Sequence, residues 1–266
     1  MEKKLIAIDL DGTLLNDKMT LTSFSCEVLQ TLLEKGHIVV LASGRPLRAL
    51  YPFYEAIGSS CPVIAYNGML VTNPQDPSFP ELKRTFPQAS IRSIAQGSHN
   101  LVTSMVAEGE KMIYLKKEDT YLEKYFPHRF YPHVIGPLEE TLNEDPFTAV
   151  FKSTHAKDQA LEELVTKEKG IQLRHWSKSF YSEANYPDVS KGSALRYLEK
   201  ELGITKEDVY AFGDSENDRE MLLEAGHPYA VFHCKSRALS RDFPVTKKSN
   251  DHDGVALTLK ELLLKP

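Results

Sequence analysis

Residues 5 to 15, Leu5-Ile-Ala-Ile-Asp9-Leu-Asp11-Gly-Thr-Leu-Leu15, constrain the fold of this chain more than any other stretch. The apolar run Leu5 to Ile8 reads as a buried strand. Two carboxylates follow it directly, then Gly-Thr. Side chains two apart in a strand point the same way. Asp9 and Asp11 are therefore expected together at the carboxyl edge of a buried strand, where open α/β sheets place their ligands. Two anions held so close need a positive partner, and a hard cation such as Mg²⁺, taking carboxylate, phosphate and water oxygens, supplies one. One carboxylate could also attack phosphorus, and the other could move a proton. The plainer alternative is a turn and helix cap, where Asp and Gly are common. A Ca²⁺ loop is excluded by spacing. Such a loop needs Gly at its sixth position and Glu at its twelfth, whereas counting from Asp9 the glycine is fourth and the twelfth residue is Thr20.

The chain alternates strand and helix on either side of a contrasting middle. Residues 22 to 35 carry Phe24, Val28, Leu29, Leu32 and Leu33 on one helical face, with Gly36 as the stop. His37 to Ala42 is a second continuous apolar run, hence a second buried parallel strand. It ends in Ser43-Gly44-Arg45-Pro46, and Pro46 suits the first turn of a helix over 46 to 57. Pro52 is expected to bend or split that helix. Val63 to Tyr66 is a third short strand before the turn Asn67-Gly68. Residues 69 to 85, with three prolines, read as an exposed hairpin or linker.

From about 86 to 185 the pattern is mixed. Helices are expected at 88–96, 118–126 and 156–168, and strands at 111–116, 148–152, 171–176 and 179–185. This suits an α+β module with an antiparallel sheet. Alternation resumes with a helix from Lys191 to Leu202, a buried strand Val209 to Phe212 and a helix over 218–225. A strand at 229–232, a short helix at 236–241, an edge-like strand Phe243 to Thr246 and a final helix at 254–264 follow. The predicted organisation is a core made of residues 1–83 and 186–266, with an inserted module at 84–185. The fold class is α/β, a doubly wound, mostly parallel, Rossmann-like sheet.

Composition narrows the function. With 266 residues the chain can bury a full core, and a net charge of −5 gives no electrostatic reason to expect nucleic acid or an anionic membrane as partner. Three scattered cysteines, Cys26, Cys61 and Cys234, fit neither a disulfide framework nor a zinc site and suit a reducing compartment. No apolar run matches a signal peptide or membrane span, so the expected location is cytoplasmic. The nine histidines show no metal spacing; His227 and His233 read as structural or surface residues, as do His128 and His133, although these two lie in the inserted module and could face a substrate.

Four stretches directly follow an apolar strand or open a helix, and parallel strands deliver their carboxyl ends to one crevice. Ser43-Gly44-Arg45 offers a hydroxyl and a glycine-backed N–H, either a phosphate cradle or a simple cap. Lys191 opens a helix, against the preference of the helix dipole. It could neutralise the Asp9–Asp11 pair, or be an ordinary surface lysine. In Gly213-Asp214-Ser-Glu-Asn217-Asp218, Asp214 could complete an oxygen-rich Mg²⁺ shell, while Asn217 and Asp218 could orient Lys191 or a phosphate.

In order and spacing these stretches resemble the four motifs of the haloacid dehalogenase superfamily, in particular its Cof-type phosphatases with a large inserted cap. Asn67-Gly68 and Ser249-Asn250-Asp-His-Asp253-Gly254-Val255 resemble further segments of that family. The resemblance implies that Asp9 is the phosphorylated nucleophile and a Mg²⁺ ligand. Asp11 would be the general acid/base, with its backbone carbonyl on the metal. Asp214 would be a further metal ligand, with Ser215 as an additional candidate. Leu10, Ser43, Gly44, Arg45, Lys191 and Asn217 would hold the phosphate, and Lys191 would also stabilise the transferring group. The chain departs from the family at Phe232-His233-Cys234-Lys235, where a Met-Gly-Asn-Ala-like turn is usual, and at Met69, where a small residue is common. The implied function is a Mg²⁺-dependent phosphatase acting through an aspartyl phosphate on a small phosphorylated metabolite, such as a sugar phosphate. The expected assembly is a monomer or weak homodimer. A phosphomutase and a non-catalytic phosphometabolite binder are the rival readings.

Overall fold

The structure is a computed structural model that describes residues 3–176 and 179–264. Residues 1–2 and 265–266 of the expected core, and 177–178 of the expected module, lie outside the described residues. The chain forms two compact units, one spanning 1–83 with 189–266 and the other 84–188.

In the first unit, β1 (Leu5–Ile8) is followed by α1 (Ser23–Glu34), β2 (Ile38–Leu41), α2 (Leu47–Ala56), β3 (Val63–Ala65), β4 (Leu70–Thr72) and β5 (Leu82–Lys83). All four β1 side chains are buried, as the unbroken apolar run requires. Thr22 caps α1 by accepting from the Ser25 N–H. Pro52 does not split α2, which runs through it as one helix with Leu50 and Tyr54 buried. Tertiary packing of that face outweighs the one backbone donor proline removes. Residues 70–83 form an antiparallel hairpin, β4 with β5, that pairs with β3, but Leu70 and Val71 are buried, so β4 is not exposed as the proline-rich stretch around it suggests.

The second unit holds α3 (Gln88–Gly97), β6 (Ser104–Glu108), β7 (Ile113–Leu115), β8 (His133–Ile135), α4 (Leu138–Thr141), β9 (Thr148–Lys152), α5 (Asp158–Val165), β10 (Gln172–His175) and β11 (Tyr181–Asn185). Its sheet runs β10-β11-β9-β6-β7-β8. The pairing is antiparallel except between β7 and β8, which are parallel. The helix expected at 118–126 is only one turn at Leu122–Lys124. Asp119 accepts from the N–H groups of Tyr121 and Leu122 and starts the turn, and Pro127 follows too soon for a longer helix.

The chain then returns to the first unit with α6 (Lys191–Leu202), β12 (Val209–Gly213), α7 (Arg219–Glu224), β13 (His227–Ala230), α8 (Arg237–Asp242) and α9 (Gly254–Leu263). The main sheet has the order β13-β12-β1-β2, all parallel. Residues 243–246 contribute only an isolated bridge between Ala230 and Val245, not a strand. On one face, Leu5, Ala7, Ile38 and Val40 pack with Leu195 and Leu198 of α6 and Met221 and Leu222 of α7. Ile6, Ile8, Val39 and Leu41 alternate to the other face and are equally buried. Because β1 lies between β12 and β2, its carboxyl end meets those of both neighbours, and the motif-bearing loops follow from there. No helix among the described residues is long and apolar enough to cross a membrane.

Candidate active site

Asp9 extends the β1 ladder by donating its N–H to the Phe212 carbonyl at 3.0 Å. The chain then turns, with the Leu15 N–H on the Leu10 carbonyl at 2.9 Å. Gly12 has φ +89°, and a Cβ there would lie 2.5 Å from Asp214 Oδ2. Only glycine suits both the left-handed backbone and that close approach. The Leu10 side chain is buried in the core, so its main chain is all it can offer a phosphate.

Lys191 is fully buried at the start of α6, where the Ser190–Ser193 capping box fixes the helix entry. Its Nζ donates to Asp9 Oδ1 and to Asp218 Oδ1, both at 2.6 Å. Asp218 Oδ2 accepts from the N–H groups of Asp214 and Ser215, each at 3.0 Å. Asp218 thus shapes the loop after β12 and holds the lysine. Its placement makes it a structural centre of the site, a larger part than the orienting one the sequence suggested. The Ser215 hydroxyl donates to Asp214 Oδ1 at 2.8 Å.

The carboxylates that come together are not the expected three. Asp9, Asp214 and Asp218 bring oxygens within 4.8 Å of one another, while both oxygens of Asp11 are taken by Arg45, at 2.8 Å from Nε and 2.6 Å from Nη2. Asp11 presents its backbone carbonyl to the site instead, and Lys235 Nζ contacts it at 3.2 Å. Asp218 already accepts from Lys191 and two N–H groups, three of the roughly four donors a carboxylate can take. The oxygens open to a cation are therefore those of Asp9, Asp214 and the Asp11 carbonyl.

Arg45, expected on phosphate, has its guanidinium on Asp11. Ser43 is buried, and its Oγ accepts from the Arg45 N–H at 3.2 Å. A Cβ at Gly44 would lie 2.8 Å from Asn67 Nδ2, and Asn217 Nδ2 donates to Asn67 Oδ1 at 2.9 Å. The turn Tyr66–Gly68 thereby joins the loops after β2 and β12. Asn67 has φ +55°, a conformation asparagine tolerates better than most residues.

The charge balance leaves Asp9 strained as an anion. Burial first, then the Asp218 charge, push its carboxyl up to about 8, against the pull of Lys191. Burial alone would lower the Lys191 ammonium, but Asp218 and Asp9 outweigh it and raise it. Held between two carboxylates at 2.6 Å, Lys191 is kept as the ammonium, and the further negative charges nearby make the Asp9 anion costly. Asp214 is raised too, by burial, with Lys235 opposing. Two buried carboxylates, Asp9 and Asp214, and the Asp11 carbonyl are hard oxygen donors of the kind Mg²⁺ takes.

Among the residues sequence reasoning missed is Lys235. It lies in the Phe232–Lys235 stretch marked as a departure from the family, which was the one available signal.

The haloacid dehalogenase-like hydrolase family model matches residues 6–259. A 5-amino-6-(5-phospho-D-ribitylamino)uracil phosphatase of Bacillus subtilis is 30% identical over 98% of both chains. A pyridoxal phosphate phosphatase of Escherichia coli is 27% identical over 91% of this chain and 92% of its own. The crystal structure of a haloacid dehalogenase-like hydrolase from Bacteroides thetaiotaomicron superposes with a TM-score of 0.85 at 25% identity, covering 98% of this chain and all of that one. With the family's motifs gathered at the carboxyl ends of one parallel sheet, this chain belongs to the haloacid dehalogenase-like hydrolases.

Proposed function

We propose that the chain is a Mg²⁺-dependent phosphatase that hydrolyses a small phosphate monoester through a phosphorylated Asp9. The observation that carries this reading is the buried Lys191 ammonium, 2.6 Å from Asp9 and 2.6 Å from Asp218, beside Asp214. A fully buried lysine paired to two carboxylates is costly to build for stability alone, and phosphoryl transfer needs such fixed charge.

Asp9 attacks the phosphorus through one carboxylate oxygen, and the bond from phosphorus to the leaving oxygen breaks. Asp11, with one oxygen released from Arg45 and carrying the proton, gives that proton to the leaving oxygen, then takes one from the water that attacks the phosphorylated Asp9 and frees phosphate. Arg45, which holds both Asp11 oxygens in this structure, keeps the other and fixes the direction of the side chain. Ser43, with the main-chain N–H groups around Gly44 and Leu10, binds the phosphoryl oxygens, and Lys191 stabilises their charge. Asp9, Asp214 and the Asp11 carbonyl would hold Mg²⁺, which when bound neutralises phosphoryl and carboxylate charge.

Two of the relatives act on phosphate esters of ring-bearing metabolites by name, and this supports a small phosphorylated metabolite as substrate here. The test is phosphate release from p-nitrophenyl phosphate with Mg²⁺ and with EDTA, for the parent and Asp9→Asn. The reading expects release only in the parent with Mg²⁺. Equal rates in the two proteins would refute it. A panel of sugar phosphates, nucleotides and cofactor phosphates then identifies the substrate.

A further inference from the structure

The Lys235 ammonium stands on oxygens that the metal reading also requires. Its Nζ lies 3.2 Å from Asp214 Oδ2 and 3.2 Å from the Asp11 carbonyl oxygen. The space it reaches through exists because residue 12 is glycine: a Cβ there would lie 3.0 Å from Nζ. Its backbone is fixed in place. His233 turns the chain with φ +64°. The Val231 N–H donates to the Gly213 carbonyl at 3.0 Å and the Ser236 N–H to the Asp214 carbonyl at 3.1 Å. These bonds tie the loop after β13 to the loop that carries Asp214, so Lys235 starts its reach from a fixed point beside the acid cluster.

We propose that Lys235 is a built-in competitor of the divalent ion, its ammonium neutralising Asp214 and the Asp11 carbonyl until metal binding displaces it. This rests on the reading of Asp9, Asp214 and the Asp11 carbonyl as the metal-holding set. A divalent ion and an ammonium cannot take the same two oxygens, because their mutual repulsion at a few ångströms exceeds what either gains from sharing. The lysine is the one able to leave. Its side chain is 61% exposed, against 3% for Asp214, so the ammonium can swing into water on its flexible stem at little cost. Lys191 differs in kind: it is fully buried and held on two sides, and it remains in place whichever cation occupies the site.

Two effects follow. Lys235 weakens metal affinity, and it lessens the repulsion among Asp9, Asp214 and Asp218 when metal is scarce. The test uses the full chain and its Lys235→Met variant, which keeps the stem and removes the charge. Mg²⁺ binding is measured by titration calorimetry at low ionic strength, and thermal unfolding is measured in EDTA and in saturating Mg²⁺. The expected result is Mg²⁺ binding about threefold to tenfold tighter in Lys235→Met. Its melting temperature should fall below the parent's in EDTA and match it in saturating Mg²⁺. Equal or weaker Mg²⁺ binding by the variant overturns the competition while leaving the metal site intact. Absence of Mg²⁺ binding in both proteins overturns the metal site itself and this inference with it.

Discussion

Asp218→Asn isolates the contact that holds the site together. Asp218 is fully buried and serves three donors: Lys191 Nζ at 2.6 Å, and the N–H groups of Asp214 and Ser215 at 3.0 Å. An asparagine oxygen can accept from the two N–H groups, but its NH₂ then faces the Lys191 ammonium, donor against donor. Turned the other way, it strands both N–H groups. Breaking a buried ion pair by removing one partner costs about 3–5 kcal/mol. Here Lys191 keeps Asp9, and Asp9 is relieved of the Asp218 charge that helps push its carboxyl up. The expected net loss is therefore about 2–4 kcal/mol, or roughly 5–15 °C in melting temperature for a chain of this size. Urea unfolding followed by far-UV circular dichroism at pH 7 in EDTA measures it. A change within about 0.5 kcal/mol of zero would mean that Asp218 is not the anchor of Lys191, and the reasoning about this pair would fail.

Three further outcomes are expected. Arg45→Lys loses the two-bond grip on Asp11, so kcat should drop about tenfold to a hundredfold with an alkyl phosphate and less with p-nitrophenyl phosphate, whose leaving group needs no proton; equal losses on both substrates would contradict the positioning role. Gly68 has φ +102°, and a Cβ there would lie 2.3 Å from the Ser190 carbonyl oxygen at the cap of α6, so Gly68→Ala should destabilise the chain by about 2 kcal/mol or more in denaturant unfolding. Burial, then Glu224, push Glu199 up to about 7. A raised acid contributes stability in full below about pH 4.5, the ordinary value, and loses it as pH rises through about 7. Glu199→Gln should therefore gain on the parent between pH 5 and 8, by under about 1 kcal/mol given its partial exposure; a melting-temperature difference that stays flat across that range would contradict the shift.

Strands β1, β2 and β12 were legible because each is a buried apolar run ended by the residues of a motif, as in Leu5–Ile8 before Asp9 and Val209–Gly213 before Asp214, whereas the edge strand β13, His227–Ala230, is only partly buried and lies two residues earlier than expected. Strand β6 was not, because Ser104 and Glu108 are polar yet buried, so the segment lacks the pattern of a strand. At the site, the identity of the loops was readable and the pairing within them was not. Ser43-Gly44-Arg45 looks like a phosphate cradle, but where the Arg45 fork points depends on Asp11, which the fold brings to it from another loop. Lys235 reaches the Asp11 carbonyl across 224 residues of sequence, and no local spacing encodes such a contact.

The central claim is that Asp9 takes the phosphoryl group. Rapid acid quenching of the enzyme during turnover of a phosphate monoester, followed by peptide mass spectrometry, tests it most directly. A phosphoryl adduct is expected on the peptide carrying Asp9, abolished in Asp9→Asn together with turnover. An adduct on another residue, or undiminished turnover in Asp9→Asn, would contradict it.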